Sequence, residues 1–467
     1  MTVQTLHAVL TTNGLVFCNP KVTCLDVEIP QNMVALFDLA LAHKLTHLWV
    51  ASDVYASLSE TFTLDYDVSA WDMKHSWYER FEGGTKVKSP RSVYGWKRKV
   101  QPTDKAPAFS LCFLQYSTWN WARSTDPIEI LGTISYLEKA LDVAIGNSPA
   151  SVGMRLVKAT NANHPEWLAR PTRDLEECHF DRSVGRDLVW QASTENAQKH
   201  LASDKPLYMH KLDKNSAYLR ACQAYHVGVG EPYHVFHDCT DYKRPGVWRV
   251  ATIGQSKMLS GDVPPVWSGK EWIATPILKL LRDTGHDVQV SEGWTFNTFH
   301  MVLKTWSETL YNARQEFKVV SHWKHQKARQ NALIGTKQIA TETVGLTAYS
   351  KFDEDEESWK ERPDYKVQIV TGNRAALYYN ILKAQKENGI VPIAVYMDAL
   401  YYISEKQDAF DLAPSLLEKK GLGGYKVEWT LPVTSEVKSI LLFKETLNLK
   451  LAKLNTLVAQ QSEVTHA

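Results

Sequence analysis

Two spacings of apolar residues organise this chain. Alternation of apolar and polar positions marks half-buried strands, and recurrence every three or four residues marks helices with one packed face. In the first 200 residues the strand-like "THLWVAS" and the helical "PIEILGTISYLEKALDVAI" predict a mixed α/β domain. The polar "STENAQKHLASDKP", ending at Pro206, reads as a linker or a capped helix, and a domain boundary is placed there. Beyond it, "LYMHKLD" predicts a strand that ends on Asp213, followed by the helix-like "SAYLRACQAY". "GVWRVATI" and "DVQVSEGWTF" read as strands, with the helix "TPILKLLRDTG" between them. Two long helical stretches, about 300–319 and 324–346, flank "VVSHW" and predict an antiparallel helical hairpin. "GNRAALYYNILKAQKENG" predicts a helix stopped at Gly389, and "ETLNLKLAKLNTLVAQQ" a final helix.

The stretch "VYMDALYYIS", residues 395–404, breaks the pattern because Asp398 stands alone among tyrosines and small apolar residues. An ionised carboxylate in a buried strand is costly unless a metal, a cation or hydrogen bonds compensate it. Either "MDA" bends the chain into a turn, or Asp398 has partners elsewhere.

Composition narrows the partners. Lys and Arg number 53 against 52 Asp and Glu, so the net charge of +1 directs the whole molecule towards no polyanion or membrane surface. Any such signal must be local. The six cysteines form no C-x-x-C pair, which argues against a zinc ribbon or redox motif and for free thiols in a reducing compartment. No apolar run is long enough to span a bilayer, and the expectation is a soluble intracellular protein, cytoplasmic or in a nucleoid or viral replication context.

Asp213 supplies a second acidic strand end. Two carboxylates on adjacent strands can hold two divalent ions ~3.5–4 Å apart, the arrangement that clamps the attacking and leaving oxygens of phosphoryl transfer. Oxygen ligands favour Mg²⁺, with Mn²⁺ as a substitute. On the helical hairpin, Arg314 and Lys318 lie four apart on one face, and Lys337 opens "KQIATETVGLTAY", whose small residues suit close packing. Three such cations could grip a triphosphate; the plainer alternative is a solvated basic face, or a nucleic-acid surface that also takes in Lys324, Lys327 and Arg329.

In their order, these pieces resemble family B DNA polymerases. "DKNSAY" matches the D-x-x-S-x-Y motif with Asp213, Ser216 and Tyr218 in register. Arg314 and Lys318 match the spaced pair of the fingers. Lys337 to Gly345 spans the family's K-x-x-x-N-S-x-Y-G, with Thr341 and Val344 in place of its Asn and Tyr. "TGNR", with Thr371 and Arg374, loosely echoes T-x-x-G-R. The closing Y-x-D-T-D-S-V-Y fits "VYMDALYY" in two ways. One puts Leu400 at the metal-binding Asp, and the other, favoured here, puts Asp398 there and Tyr401 on the final Tyr.

The resemblance implies an α+β fold: a right-hand palm of antiparallel sheet and helices, helical-hairpin fingers, a reduced thumb and a separate α/β N-terminal domain. The corresponding segments are 1–200, palm 201–299 and 351–440, fingers 300–350, and a minimal thumb 441–467. It further implies Asp213 and Asp398 as Mg²⁺ ligands and Tyr218 beneath the nucleotide sugar, excluding a 2′-hydroxyl. The Ser216 and Ala217 amides would approach the triphosphate and Arg314, Lys318 and Lys337 would bind it, Lys337 also protonating the pyrophosphate. The activity implied is template-dependent DNA synthesis from dNTPs on a DNA template and primer, with a replication or terminal protein as a further partner. The competing expectation is a catalytically silent, polymerase-derived nucleic-acid-binding protein.

The N-terminal half contains "CLDVEIP", whose Asp26 and Glu28 form a D-x-E but lack downstream acidic companions. Two solvent-facing acids on an edge strand are the expectation, without 3′-to-5′ exonuclease activity. In "KVKSPRSVYGWKRKV", residues Trp96, Lys97, Arg98 and Lys99 combine a stacking ring with cations, which suits a single-stranded template. An exposed basic hairpin with a packing Trp fits nearly as well. Only 69 residues follow Asp398, few for a thumb, and low processivity is expected, as in short synthesis, priming or protein-primed initiation.

Overall fold

The computed structural model describes residues 6–18, 22–30, 33–58, 71–72, 78–82, 85–89, 97–98, 110–146, 148–181, 183–236, 241–254, 263–266, 269–319, 326–346 and 362–464. It divides into two compact units. One comprises Met1–Ala162, Glu308–Leu346 and Lys351–Asp355, and the other Asn163–Ser307, Thr347–Ser350 and Glu356–Ala467.

In the first unit, the strand His7–Thr11 pairs in parallel with His47–Val50, which pairs in parallel with Ser110–Phe113. Antiparallel strands Gly14–Cys18 and Val22–Leu25 extend the sheet on the other side of His7–Thr11. The three parallel strands are almost continuously apolar (Ala8, Leu10, Leu48, Val50, Leu111 and Phe113 are buried), as strands covered on both faces require. Helix Pro127–Leu141 starts where Asp126 accepts from the Ile128 amide at 2.9 Å, with Pro at its first position.

The two helices expected near 300–346 are present as Lys304–Lys318 and Gln326–Leu346. The second helix packs against Pro127–Leu141 and Pro149–Thr160. Small residues permit the approach: a β-carbon on Gly132 would lie 3.1 Å from Ala328, and one on Gly153 only 1.8 Å from the Thr343 hydroxyl. Within "KQIATETVG", Ile339 and Thr343 form this packing surface, whereas Thr341 is exposed.

The second unit contains two antiparallel sheets. In the first, the order is Val189–Gln191, Ala394–Tyr396, Ala399–Ser404, Tyr208–Lys214, Tyr425–Pro432. In the other it is Val227–Val235, Val288–His300, Gly246–Ile253, Trp272–Ala274. Helix Pro363–Asn388 begins at a buried Arg362–Asp364 ion pair (2.7 Å) and ends at Gly389, whose φ of 67° makes the left-handed cap that glycine adopts freely. This helix starts earlier than "GNRAALYY", so the "TGNR" residues lie inside it. Among the described residues no helix is long and apolar enough to cross a membrane, and Cys24, Cys112, Cys178 and Cys222 are free thiols.

Candidate active site

The strand Tyr208–Lys214 divides its side chains between two environments. Leu212 joins Leu400, Val395, Tyr402 and the Leu377, Tyr378 and Ile381 side chains of the long helix in one core. Met209 joins Ala399, Tyr401 and Leu431 in another, covered by Val437, Leu441, Leu451 and Leu454 of the last two helices. Along this second face, Lys211 pairs with Glu428 at 2.9 Å, and the last residue, Asp213, is open to solvent, its side chain 22 % exposed. Alternation has carried an acid to the uncovered end of an otherwise covered face.

"VYMDALYYIS" is not a single strand. It is a hairpin whose two-residue tip is Met397–Asp398, with Met397 at φ 56°. The turn, one of the two alternatives on sequence grounds, is the conformation adopted. Asp213 stands opposite Ala399, and the Lys214 amide donates to the Asp398 carbonyl at 3.3 Å. Asp398 is thus diagonal to Asp213, at the free end of the strand pair. Burial raises the pKa of the Tyr425 hydroxyl, and the charges of Asp398 and Asp213 raise it further. The same two carboxylates act on Tyr401, whose pKa is raised by burial first and then by Glu428. Leu400 is fully buried opposite Leu212, so position 400 offers no place for a solvated ligand.

Two lysines adjoin this acidic pair. Lys426 Nζ lies 3.2 Å from Asp213 Oδ2 and is 56 % exposed. Lys214, almost completely buried, donates to Asn373 Oδ1 at 3.0 Å. Burial lowers its pKa to about 8, with Asp398 opposing the shift. Sequence reading passed over Lys214, although alternation with Leu212 already turned it inward.

Ser216 has φ 52° and precedes helix Ala217–Ala224, so the chain turns sharply just past the strand end at Lys214. Tyr218 is half-buried on that helix and donates its hydroxyl to Asp187, 3.0 Å from Oδ1 and 2.9 Å from Oδ2. Asp187 was not singled out from the sequence; no motif spacing marks it. Thr371 bonds back to the Val367 carbonyl and Arg374 donates to the Val266 carbonyl, so both serve the helix and its packing.

The remaining candidates lie in the first unit. Arg314 is half-buried and Lys318 and Lys337 are exposed. Thr341, in the place of the family's Asn, is exposed and bonds back to the Lys337 carbonyl, and Val344 is buried. Arg329 does not belong to a solvated basic face: it is buried and donates to the Phe317 carbonyl at 2.8 Å, satisfying the end of the preceding helix. Lys327 pairs with Glu129 at 2.7 Å. Asp26 and Glu28 are exposed just past the edge strand Val22–Leu25, rather than on it. Lys97 and Arg98 form a short strand paired with Trp71–Asp72, while Trp96 and Lys99 lie outside the described residues. Among the described residues no cluster of three or more His, Cys, Asp or Glu side chains is arranged to hold a metal.

No protein-family model and no curated protein sequence matches this chain. Solved structures do. Phi29 DNA polymerase, complexed with primer-template DNA and incoming nucleotide, aligns over 91 % of this chain and 84 % of its own, with a TM-score of 0.55 and 13 % identity. Phi29 DNA polymerase with primer-template DNA alone gives 0.52 and 12 %, covering 91 % and 83 %. The chain has a DNA polymerase fold. The resemblance drawn from the motifs is borne out at that level, and the polymerase fold carries both Asp213 and Asp398 at one end of one strand pair.

Proposed function

We propose that this protein is a template-directed DNA polymerase, transferring nucleotides from dNTPs to a primer 3′-hydroxyl, with Asp213 and Asp398 as ligands of Mg²⁺ or Mn²⁺. One observation carries the reading: in a polymerase fold, the acid ending one strand lies diagonal to the acid at the neighbouring hairpin tip. The donor set fits a hard divalent ion, since both donors are carboxylates at the solvent end of a sheet. The Lys426 ammonium beside Asp213 marks the same place as cation-attracting. When bound, such ions lower the pKa of the attacking hydroxyl and neutralise charge on the pyrophosphate.

On this reading the five-stranded sheet is the palm and the helical hairpin the fingers. Tyr218 supports the sugar, the amides of Ser216 and Ala217 approach the triphosphate, and Arg314, Lys318 and Lys337 bind its phosphates; the order and spacing of the motifs support these roles. Lys337 also hands a proton to the departing pyrophosphate. The protein's contribution is positioning and charge stabilisation. Its partners are DNA primer-template and dNTPs, the classes bound in the Phi29 polymerase complex, with a replication or terminal protein in protein-primed initiation.

A second reading, a catalytically silent nucleic-acid-binding protein, is favoured by one feature: Lys426 and Lys214 already set two ammonium groups beside the two carboxylates. Incubation with primed, unprimed and homopolymer templates, dNTPs or NTPs, and Mg²⁺ or Mn²⁺ separates the two. Metal-dependent primer extension abolished by Asp398→Ala supports the enzyme. Tight DNA binding without incorporation under any of these conditions supports the silent protein.

A further inference from the structure

The segment Asp187–Val189 touches two parts of the proposed site at successive residues. The carboxylate of Asp187 receives the Tyr218 hydroxyl on both oxygens, at 3.0 and 2.9 Å. The Leu188 carbonyl accepts the Met397 amide at 2.8 Å, tying down the hairpin tip beside Asp398. Val189 then pairs with Tyr396, so the segment is built into the sheet edge. Leu188 itself is buried in the core formed with Leu212, Val395 and Leu400. A short strap thus holds the tyrosine and the acidic tip with one piece of backbone.

Asp187 is not an ordinary surface acid. Burial raises its carboxyl pKa, against which the Tyr218 hydrogen bond and the charges of Lys366 and Arg374 act. The Tyr218 hydroxyl is correspondingly raised, by burial first and then by Asp187. A phenol donating to a carboxylate in a partly dry setting makes a charge-assisted bond, stronger than a neutral one, and it fixes the tilt of the ring.

We infer that Asp187 is a positioning residue for Tyr218 and, by holding that ring, sets the preference for a deoxyribonucleotide over a ribonucleotide. This rests on the role given to Tyr218 in the proposed function. A ring free to rotate leaves room for a 2′-hydroxyl, and a tethered ring does not.

The test compares dATP with ATP, in equilibrium binding to the full chain with primer-template and Mg²⁺, and in single-turnover extension. Tyr218→Phe keeps the ring and removes the donor; Asp187→Ala removes the acceptor; Asp187→Asn keeps an acceptor oxygen. The expected result is that Y218F and D187A each reduce discrimination by the same factor, about tenfold, and that the double variant loses no more, as one shared interaction requires. D187N should retain most of the discrimination, which a merely structural role would not explain, and in D187A the loss should appear in the KM for ATP rather than in kcat for dATP. Unchanged discrimination in Y218F, additive losses in the double variant, or no preference for dATP in the wild-type protein would overturn the inference; Y218F and D187N suffice if D187A does not fold. A wild-type protein that prefers dATP in binding yet extends no primer refutes the polymerase reading and leaves this inference standing.

Discussion

Asp213 stands directly across the strand pair from Ala399, and therefore one residue out of register with Asp398 at the hairpin tip. That single offset decides which of the hairpin's side chains stand at the solvent end of the sheet. Position 398 lies at the open end of the pair, and position 400 faces Leu212 inside the core.

The two positions should therefore respond oppositely to charge. Asp398→Asn is expected to lower primer extension on the order of a thousandfold while leaving the urea midpoint close to wild type. Leu400→Asp is expected to cost roughly 3–5 kcal/mol of stability, because it buries an unpaired acid. A well-folded L400D protein with increased metal affinity would mean that position 400 can reach the site after all.

Lys426 pairs with Asp213 and, on the proposed metal site, would compete there with a bound cation. Its side chain is 56 % exposed, so removing it should change stability by less than about 1 kcal/mol. Removing a unit charge so close to the carboxylate should tighten Mn²⁺ binding about fivefold in Lys426→Ala, after partial screening by water. Calorimetric titration of the wild-type and variant proteins measures this. Equal affinities would show that the ammonium swings aside without competing.

Close packing of helix Pro149–Thr160 on helix Gln326–Leu346 depends on Gly153. A β-carbon there would lie 1.8 Å from the Thr343 hydroxyl, which is itself bonded to the Ile339 carbonyl at 2.6 Å, and 3.0 Å from Ile339. Gly153→Ala should destabilise the protein by about 1–3 kcal/mol through overpacking. Urea denaturation checks it, and Thr343→Ala in the same chain should recover part of the loss.

Glu342, half-buried on the same helix, provides a pH signature. Burial raises its carboxyl pKa from 4.5 to about 7, against a hydrogen bond from the Ala150 amide. The folded chain then holds this proton more tightly than the unfolded chain. Its contribution to stability is largest below the unfolded value of 4.5 and is lost as pH rises towards 7. Comparing urea midpoints at about pH 5 and pH 7.5, wild type should weaken relative to Glu342→Gln by roughly 1 kcal/mol once screening by water at this half-buried site is allowed for. Parallel pH profiles in the two proteins would rule this out.

The elements near the candidate site were legible because local chemistry defines them. "LYMHKLD" alternates, Gly389 stops a helix, and two long helices show in their apolar spacing; each appears where expected. Arg329 was not legible: a cation on a long helix looks solvated until another helix end is found beneath it. Nor was Asp187, whose partner Tyr218 lies 31 residues away in a separate element.

The sequence by itself determined the inventory: an acid ending an alternating strand, an acid within an apolar run, and a tyrosine five residues beyond the first. These follow from periodicity and residue chemistry, which act over a few neighbours. Only the tertiary structure decided that residue 398 sits at the end of the strand pair while residue 400 is buried opposite Leu212, that Lys214 is buried, and that Asp187 holds Tyr218. The physical reason is that side-chain direction in a sheet reverses with every residue. Which face Asp398 serves therefore depends on where the turn falls and how the strands are registered, and both are fixed by contacts between segments distant in the chain.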